Sequence, residues 1–129
     1  MNANIILYVA DQGKSRDFYA AALNLAPSLD VPGMTEFRLN GGCVLGLMPE
    51  KGIKSLLGNK LPDPSLGAGV PRAELYLTVA DPASYHARAL AAGAMEISPL
   101  KPMNWGDTAA YSLDPDAHVL AFAERTTVC

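Results

Sequence analysis

Two residues of this chain combine reactive or recognitive chemistry with a telling setting. Trp105 is the only tryptophan, followed by Gly106 and flanked by proline-bearing loops. An indole ring offers a broad apolar face whose π electrons attract planar and cationic molecules, so Trp105 either meets a ligand or simply packs. Glu74 opens the apolar run Glu74 to Ala80. A carboxylate in apolar surroundings is costly unless partnered. Arg38 or Arg72 as an ion-pair partner is one reading; the other gives Glu74 a ligand's amine or hydroxyl to bind, or a proton to take as general base.

The remaining chemistry-bearing side chains read more plainly. His86 falls among polar neighbours on a helix, where a solvated face is expected. Cys43 reads as a small apolar residue rather than a nucleophile, and Cys129 is the last residue. Two cysteines are too few for a disulfide framework, so both are expected as reduced thiols in a cytoplasmic protein. Gly41-Gly42 is a turn, because no glycine-rich stretch follows a strand and opens a helix at phosphate-loop spacing.

Those residues need elements to hold them. Ile5 to Ala10 is a β-favouring apolar run, expected as a strand buried on both faces. Asp11 stands at a helix N-cap, and Phe18, Ala22 and Leu25 give the following helix its buried stripe, with Asn24 just past its end. Met34 to Asn40 and Cys43 to Met48 form a hairpin through Asn40-Gly41-Gly42. Pro49 to Arg72 reads as a linker in which only Ile53 to Leu57 looks structured. Glu74 to Ala80 is the next strand; Asp81-Pro82 starts a helix running to Gly93, with proline at its first position. Met95 to Leu100 is an edge strand because of its prolines. Asp107 to Leu113 and Val119 to Ala123 close the set across the turn Asp114-Pro115-Asp116-Ala117-His118.

The chain says much of this twice. Leu7-Tyr8-Val9-Ala10-Asp11 returns as Leu77-Thr78-Val79-Ala80-Asp81, and Val44-Leu45-Gly46-Leu47-Met48 as Val119-Leu120-Ala121-Phe122-Ala123. A fixed internal period of this kind defines a repeated unit. The expected fold is α+β: two βαβββ modules, about 1–49 and 73–126 with the linker about 50–72, forming a curled mixed sheet around a cavity with the helices outside. All of it fits one domain spanning 1–129.

Composition excludes several classes. With 50% hydrophobic and 18% charged residues the chain is built to fold rather than stay disordered. Its net charge of −3 and lack of a basic block argue against nucleic acid. No apolar run approaches the roughly 20 residues of a membrane helix, and the N-terminus lacks the pattern of a signal peptide.

Val9-Ala10-Asp11, Ser15, Phe18-Tyr19, Leu23, Trp105-Gly106, Tyr111 and Asp114-Pro115-Asp116-Ala117-His118 together resemble the vicinal oxygen chelate superfamily of glyoxalases, bleomycin resistance proteins and extradiol dioxygenases. The resemblance covers everything except the linker. It implies metal-ligand positions at Asn4, Gly46, Glu74 and Ala121, where enzymatic members carry His or Gln, Glu, His and Glu. Gly46 and Ala121 bring no donor, whereas a divalent cation needs several oxygen or nitrogen atoms at about 2.0–2.6 Å. The metal centre is therefore expected to have lapsed, with no cofactor required.

What remains is a cavity whose floor small residues leave open. Tyr8 and Tyr76 share strand faces with Asn4 and Glu74 by period-two alternation. Trp105, Phe37, Met48 and Tyr111 are further wall candidates, although Phe37, Met48 and Tyr111 taken singly read as ordinary core. The resemblance implies a metal-free protein of the bleomycin-resistance type that captures an aromatic or cationic small molecule with Trp105, Glu74, Tyr8, Tyr76, Arg38, Met48 and Tyr111. The alternatives are a glyoxalase-like lyase or isomerase with an atypical divalent-metal site, a metal-free enzyme using Glu74, and an accessory subunit without a ligand. A homodimer is implied, with Pro49 to Arg72 reaching the partner.

Overall fold

A computed structural model describes residues 1–127; Cys129 lies outside them. Its elements run β1 (Ala3–Val9), α1 (Gln12–Leu23), β2 (Leu29–Val31), β3 (Met34–Asn40), β4 (Cys43–Pro49), α2 (Glu50–Leu57), β5 (Glu74–Thr78), α3 (Pro82–Ala91), β6 (Met95–Pro102), β7 (Asp107–Leu113) and β8 (Val119–Arg125). The strands form two sheets of four, ordered β1-β4-β3-β2 and β5-β8-β7-β6. In each the first strand lies parallel to the last and the rest are antiparallel, so both sheets are mixed. The α+β class and the duplicated module are as the sequence reads. The strands stay in two unclosed sheets rather than one curled sheet.

Helices α1 and α3 start the same way. Asp11 accepts a hydrogen bond from the Lys14 backbone N–H at 3.0 Å, and Asp81 from that of Ser84 at 3.3 Å. Such caps satisfy helix-end donors and contribute about 1 kcal/mol each. Helix α1 ends at Asn24, whose φ of 54° turns the chain left-handed. That turn carries Leu25 off the buried stripe, leaving it exposed rather than packed beside Phe18 and Ala22.

Helices α1 and α3 cover one face of their sheets and also meet one another. Between them lies one continuous core holding Leu7, Val9, Phe18, Tyr19, Phe37, Leu45, Leu47, Leu75, Leu120 and Phe122. The opposite sheet faces stay open. Strand β1 is therefore not buried on both faces: Leu7 and Val9 face the core, while Asn4, Ile6 and Tyr8 face outward. The reason is layering, since an apolar run needs cover on each side to bury both faces, and the α1 and α3 layer covers only one.

Three local expectations also change. Strand β2 is a short edge strand that three residues of weak pattern did not announce. The segment from 50 to 72 folds further than expected, into the two turns of α2 and 3-10 turns at Gly58–Lys60 and Pro64–Gly67. His86 is buried at 7% exposure, because α3 presents it to β6, where its Nε2 meets Glu96 at 2.9 Å.

Candidate functional site

Strand pairing decides which side chains share an open face. In the second sheet Tyr76 lies beside Ala121, and Ala121 beside Tyr111. Alternation then puts Glu74, Tyr76, Ala109, Tyr111, Ala121 and Ala123 on the face turned away from the helices. Ala121 and Ala123 rise so little above β8 that the Tyr76 side chain reaches across it to β7. Its hydroxyl donates to Asp107 Oδ2 at 2.6 Å and accepts from Trp105 Nε1 at 2.9 Å. Ala109, Ala121 and Ala123 have no exposed surface beneath.

Trp105 thus reaches the open face with its nitrogen already committed, while the residue remains 50% exposed. Arg125 closes the group, its Nη1 3.5 Å from both Asp107 Oδ1 and the Trp105 carbonyl oxygen. Burial raises the Tyr76 hydroxyl above its ordinary pKa, and the bond to Asp107 adds to this while the bond from Trp105 opposes it. Burial also raises Tyr111, helped by the charges of Glu74 and Asp107. The face therefore pairs aromatic surface with two carboxylates, which suits an aromatic or cationic partner.

Glu74 itself is exposed and makes no ion pair among the described residues, so neither Arg38 nor Arg72 is its partner. The apolar cup that would have demanded one is an open sheet face. Arg38 lies exposed on the first sheet, on the same face as Met34, Glu36, Val44, Gly46 and Met48. Asn4, Ile6 and Tyr8 join them through β1. Phe37 faces the other way and is fully buried in the core. The seven candidate binding residues thus divide between two sheets: Glu74, Tyr76, Trp105 and Tyr111 on one, Tyr8, Arg38 and Met48 on the other.

The expected opening at the cavity floor is filled. A Cβ at Gly46 would meet Ile6 Cγ1 at 3.1 Å and Met34 Sδ at 3.2 Å, and Ala121 lies fully buried beside Tyr76. Small residues here admit neighbouring side chains of the same face. Asn4, at a third position, points its amide at Glu36 at 3.4 Å. With no donor at 46 or 121 and the amide at 4 directed to a carboxylate, these four residues do not fit the metal set of the enzymatic relatives.

Sequence reasoning passed over the densest polar cluster as a turn. Asp114 Oδ1 accepts from the backbone N–H of Asp116 and of His118, both at 2.9 Å. Its Oδ2 accepts from Tyr19 Oη at 2.5 Å and from His118 Nδ1 at 2.9 Å. Asp116 accepts from the Ala10 N–H at 2.9 Å and from Ser15 Oγ at 3.2 Å, tying this turn to the first module. Burial would raise Asp114, but the bonds from His118 and Tyr19 outweigh it and hold the carboxyl below its ordinary pKa. Burial would lower His118, but Asp114, Asp116 and Glu50 carry it above its ordinary value. Among the described residues this is the only group of three or more His, Cys, Asp or Glu whose ligand atoms lie within 4.8 Å of one another. Protein donors already occupy both Asp114 oxygens, so the group works as a turn lock. Its legible signal was three polar side chains at alternate positions, 114, 116 and 118.

A cavity of about 480 Å³ opens beside this lock, lined by Tyr8, Glu50, Arg72, Asp116 and His118 among others. It includes neither Trp105 nor Glu74. The molecule therefore carries an aromatic, acidic sheet face and, apart from it, a cavity of mixed charged and apolar lining under the segment joining the modules.

A duplicated βαβββ unit with open sheet faces is the architecture of a class of small-molecule-binding proteins and enzymes. Residues 3–122 match the Glyoxalase/Bleomycin resistance protein/Dioxygenase superfamily, and the chain belongs to it. An uncharacterized protein of Mycobacterium bovis is 31% identical over 118 residues, covering 87% of this chain and 75% of its own. A glyoxalase-related enzyme from Fulvimarina pelagi superposes with a TM-score of 0.82 at 24% identity, over 97% of this chain and 88% of that one. A family member from Burkholderia phytofirmans gives 0.81 at 19% identity, over 95% and 97%. At those identities the two structures speak for the fold alone. No described helix is long and apolar enough to cross a membrane.

Proposed function

We propose that this protein is a metal-free binder of the bleomycin-resistance type, which captures an aromatic or cationic small molecule on the open face of its second sheet. The observation that carries this reading is the chain Trp105 Nε1–H to Tyr76 hydroxyl to Asp107 carboxylate. It fixes an exposed indole ring at the sheet face, so a ligand meets a preorganised aromatic surface at little conformational cost. Glu74 and Asp107 supply the negative charge that a cationic ligand needs, and Tyr111 adds a second aromatic wall. Capture rather than turnover is the mechanism.

The proposed working unit is a homodimer. Ile6 and Tyr8 leave 40% and 37% of their surfaces exposed on the first sheet's open face, a surface that a second copy would cover. Tyr8, Met48 and Arg38 would then complete the binding site from that side.

The test is titration of the purified protein with benzyltrimethylammonium, an aromatic quaternary cation, while following the fluorescence of its single tryptophan. Saturable quenching is expected, weakened about tenfold by Trp105→Leu when binding is followed calorimetrically. No saturable response in either measurement would overturn the reading. Metal analysis of the same preparation is expected to find no stoichiometric divalent ion; a tightly bound one would return a glyoxalase-type lyase or isomerase to the lead.

A further inference from the structure

The cavity under the intermodule segment has a composition that the sheet-face reading does not use. Arg72 lines it with its guanidinium laid directly over Gly67, where a Cβ would come within 2.5 Å of Nη2. Glu50, the first residue of α2, lines it too and is half-buried. These two opposite charges face one cavity without pairing: no nitrogen of Arg72 lies within 4.0 Å of a Glu50 oxygen, and neither has another ion-pair partner among the described residues.

His118 supplies the third group. Asp114 is a carboxylate and accepts only, so the 2.9 Å contact requires the hydrogen on His118 Nδ1. His118 Nε2 has no protein partner among the described residues, and because Asp114, Asp116 and Glu50 favour the protonated ring, that nitrogen offers an N–H donor to the cavity. Asp114 is fully buried and tied to Tyr19 and two backbone N–H groups, so the imidazole is held in place from behind. The wall thus offers two donors, the Arg72 guanidinium and His118 Nε2–H, and one uncommitted acceptor, Glu50. A bare anion would face Glu50 and Asp116, and a bare cation would face Arg72. A molecule bearing both charges satisfies every group.

We propose that this cavity is a second binding site, for a free α-amino acid. Its carboxylate lies on Arg72, a guanidinium being the preferred partner of a planar carboxylate. The ammonium, with three hydrogens to donate, lies on Glu50, while His118 Nε2–H donates to the same carboxylate as Arg72. Pro64, Ala68 and Val70 line the same cavity and give its side chain an apolar wall. A volume of about 480 Å³ accommodates the larger amino acids, and smaller ones leave part of that wall wet.

The chain has two histidines, so the imidazole NMR signals of the intact protein report this site through His118 with His86 as internal control. The probes are L-leucine, N-acetyl-leucine, which lacks the ammonium, and leucinamide, which lacks the carboxylate. L-leucine is expected to shift the His118 signals saturably and leave His86 in place, while the two derivatives bind at least about tenfold more weakly. Arg72→Gln and Glu50→Gln, which disturb no protein ion pair, are each expected to weaken L-leucine binding by a similar factor. Failure of glycine, L-leucine and L-phenylalanine to shift His118 would overturn the proposal. So would N-acetyl-leucine or leucinamide binding as well as leucine, which would make the cavity a plain anion or cation site. Trp105 fluorescence is expected to stay unchanged throughout, which separates this site from the sheet face.

Discussion

The two open sheet faces repeat one backbone and end in different chemistry. Ile6 and Tyr76 stand at matching places in their modules, beside Gly46 and Ala121 respectively. In the first module isoleucine simply folds down over the glycine with Met34. In the second, tyrosine crosses its alanines and ends in a hydroxyl, which recruits Trp105 and Asp107 into one bonded group. Different residue types at matching places of a repeated scaffold thus give the second face a bonded aromatic group that the first lacks.

The turns before the last strands diverge in the same way. Leu39-Asn40-Gly41-Gly42-Cys43 is held by one side-chain bond, from the Gly42 N–H to Asn40 Oδ1 at 3.0 Å. Its counterpart Asp114 to His118 is held by the four bonds converging on Asp114 and by the clasp of Asp116 on Ala10 and Ser15. Cys43, the counterpart of His118, is a free thiol in an intermediate setting. The second turn bonds the modules to each other, and the first only closes a hairpin.

The largest expected break in this comparison is Asp114→Ala. It strands Tyr19 and His118 in the interior without their acceptor, at a cost of about 3 kcal/mol or more by urea unfolding. Asn40→Ala, in the matching turn, should cost less than about 1 kcal/mol; equal losses would mean that the acid lock adds nothing. Next in size is Ala121→Gly, which removes a fully buried methyl beneath Tyr76 and loosens a strand, for about 1–2 kcal/mol. Its mirror, Gly46→Ala, should cost under about 1 kcal/mol, because the atoms it meets belong to the flexible side chains of Ile6 and Met34. A larger loss at 46 than at 121 would reverse the account of the two faces.

The smallest expected effect is on pH dependence. His118 is raised above 6.5, so its contribution is complete below that value and fades as pH rises through the folded-state pKa. Asp114 is lowered below 3.8, so its contribution is complete above that value and fades as pH falls through the folded-state pKa. The pair therefore stabilises most between about pH 4 and 6.5. His118→Asn should flatten the alkaline side of the stability profile and leave the Trp105 face unaltered. An unchanged alkaline limb would sever the link between His118 and Asp114.

Much of the fold was legible because local signals agreed with the repeat. Asp11, Asn24, Asp81-Pro82 and the hairpin glycines mark boundaries through their own backbone chemistry, and the repeated Val-Leu runs mark the strands. The open faces were not legible from β1, since an unbroken apolar run looks the same whether one or both sides are covered. Trp105 and Tyr76 stood out by type, yet their bond joins residues 29 apart and depends on small residues on an intervening strand. Arg38 or Arg72 could stand only as one of two readings for Glu74, because sequence offers charges without distances.

The sequence by itself determined the duplicated βαβββ plan and the capped helices, because caps, turns and periodicity act within a few residues of themselves. It also determined that positions 46 and 121 bring no metal donor, since that follows from residue type alone. Tertiary structure decided which faces stay open, that His86 is buried, and that Asp114 locks the modules together. It also decided that Arg72, Glu50 and His118 share one cavity. Those outcomes rest on contacts between residues far apart in the chain, and burial and pairing are properties of the packed whole.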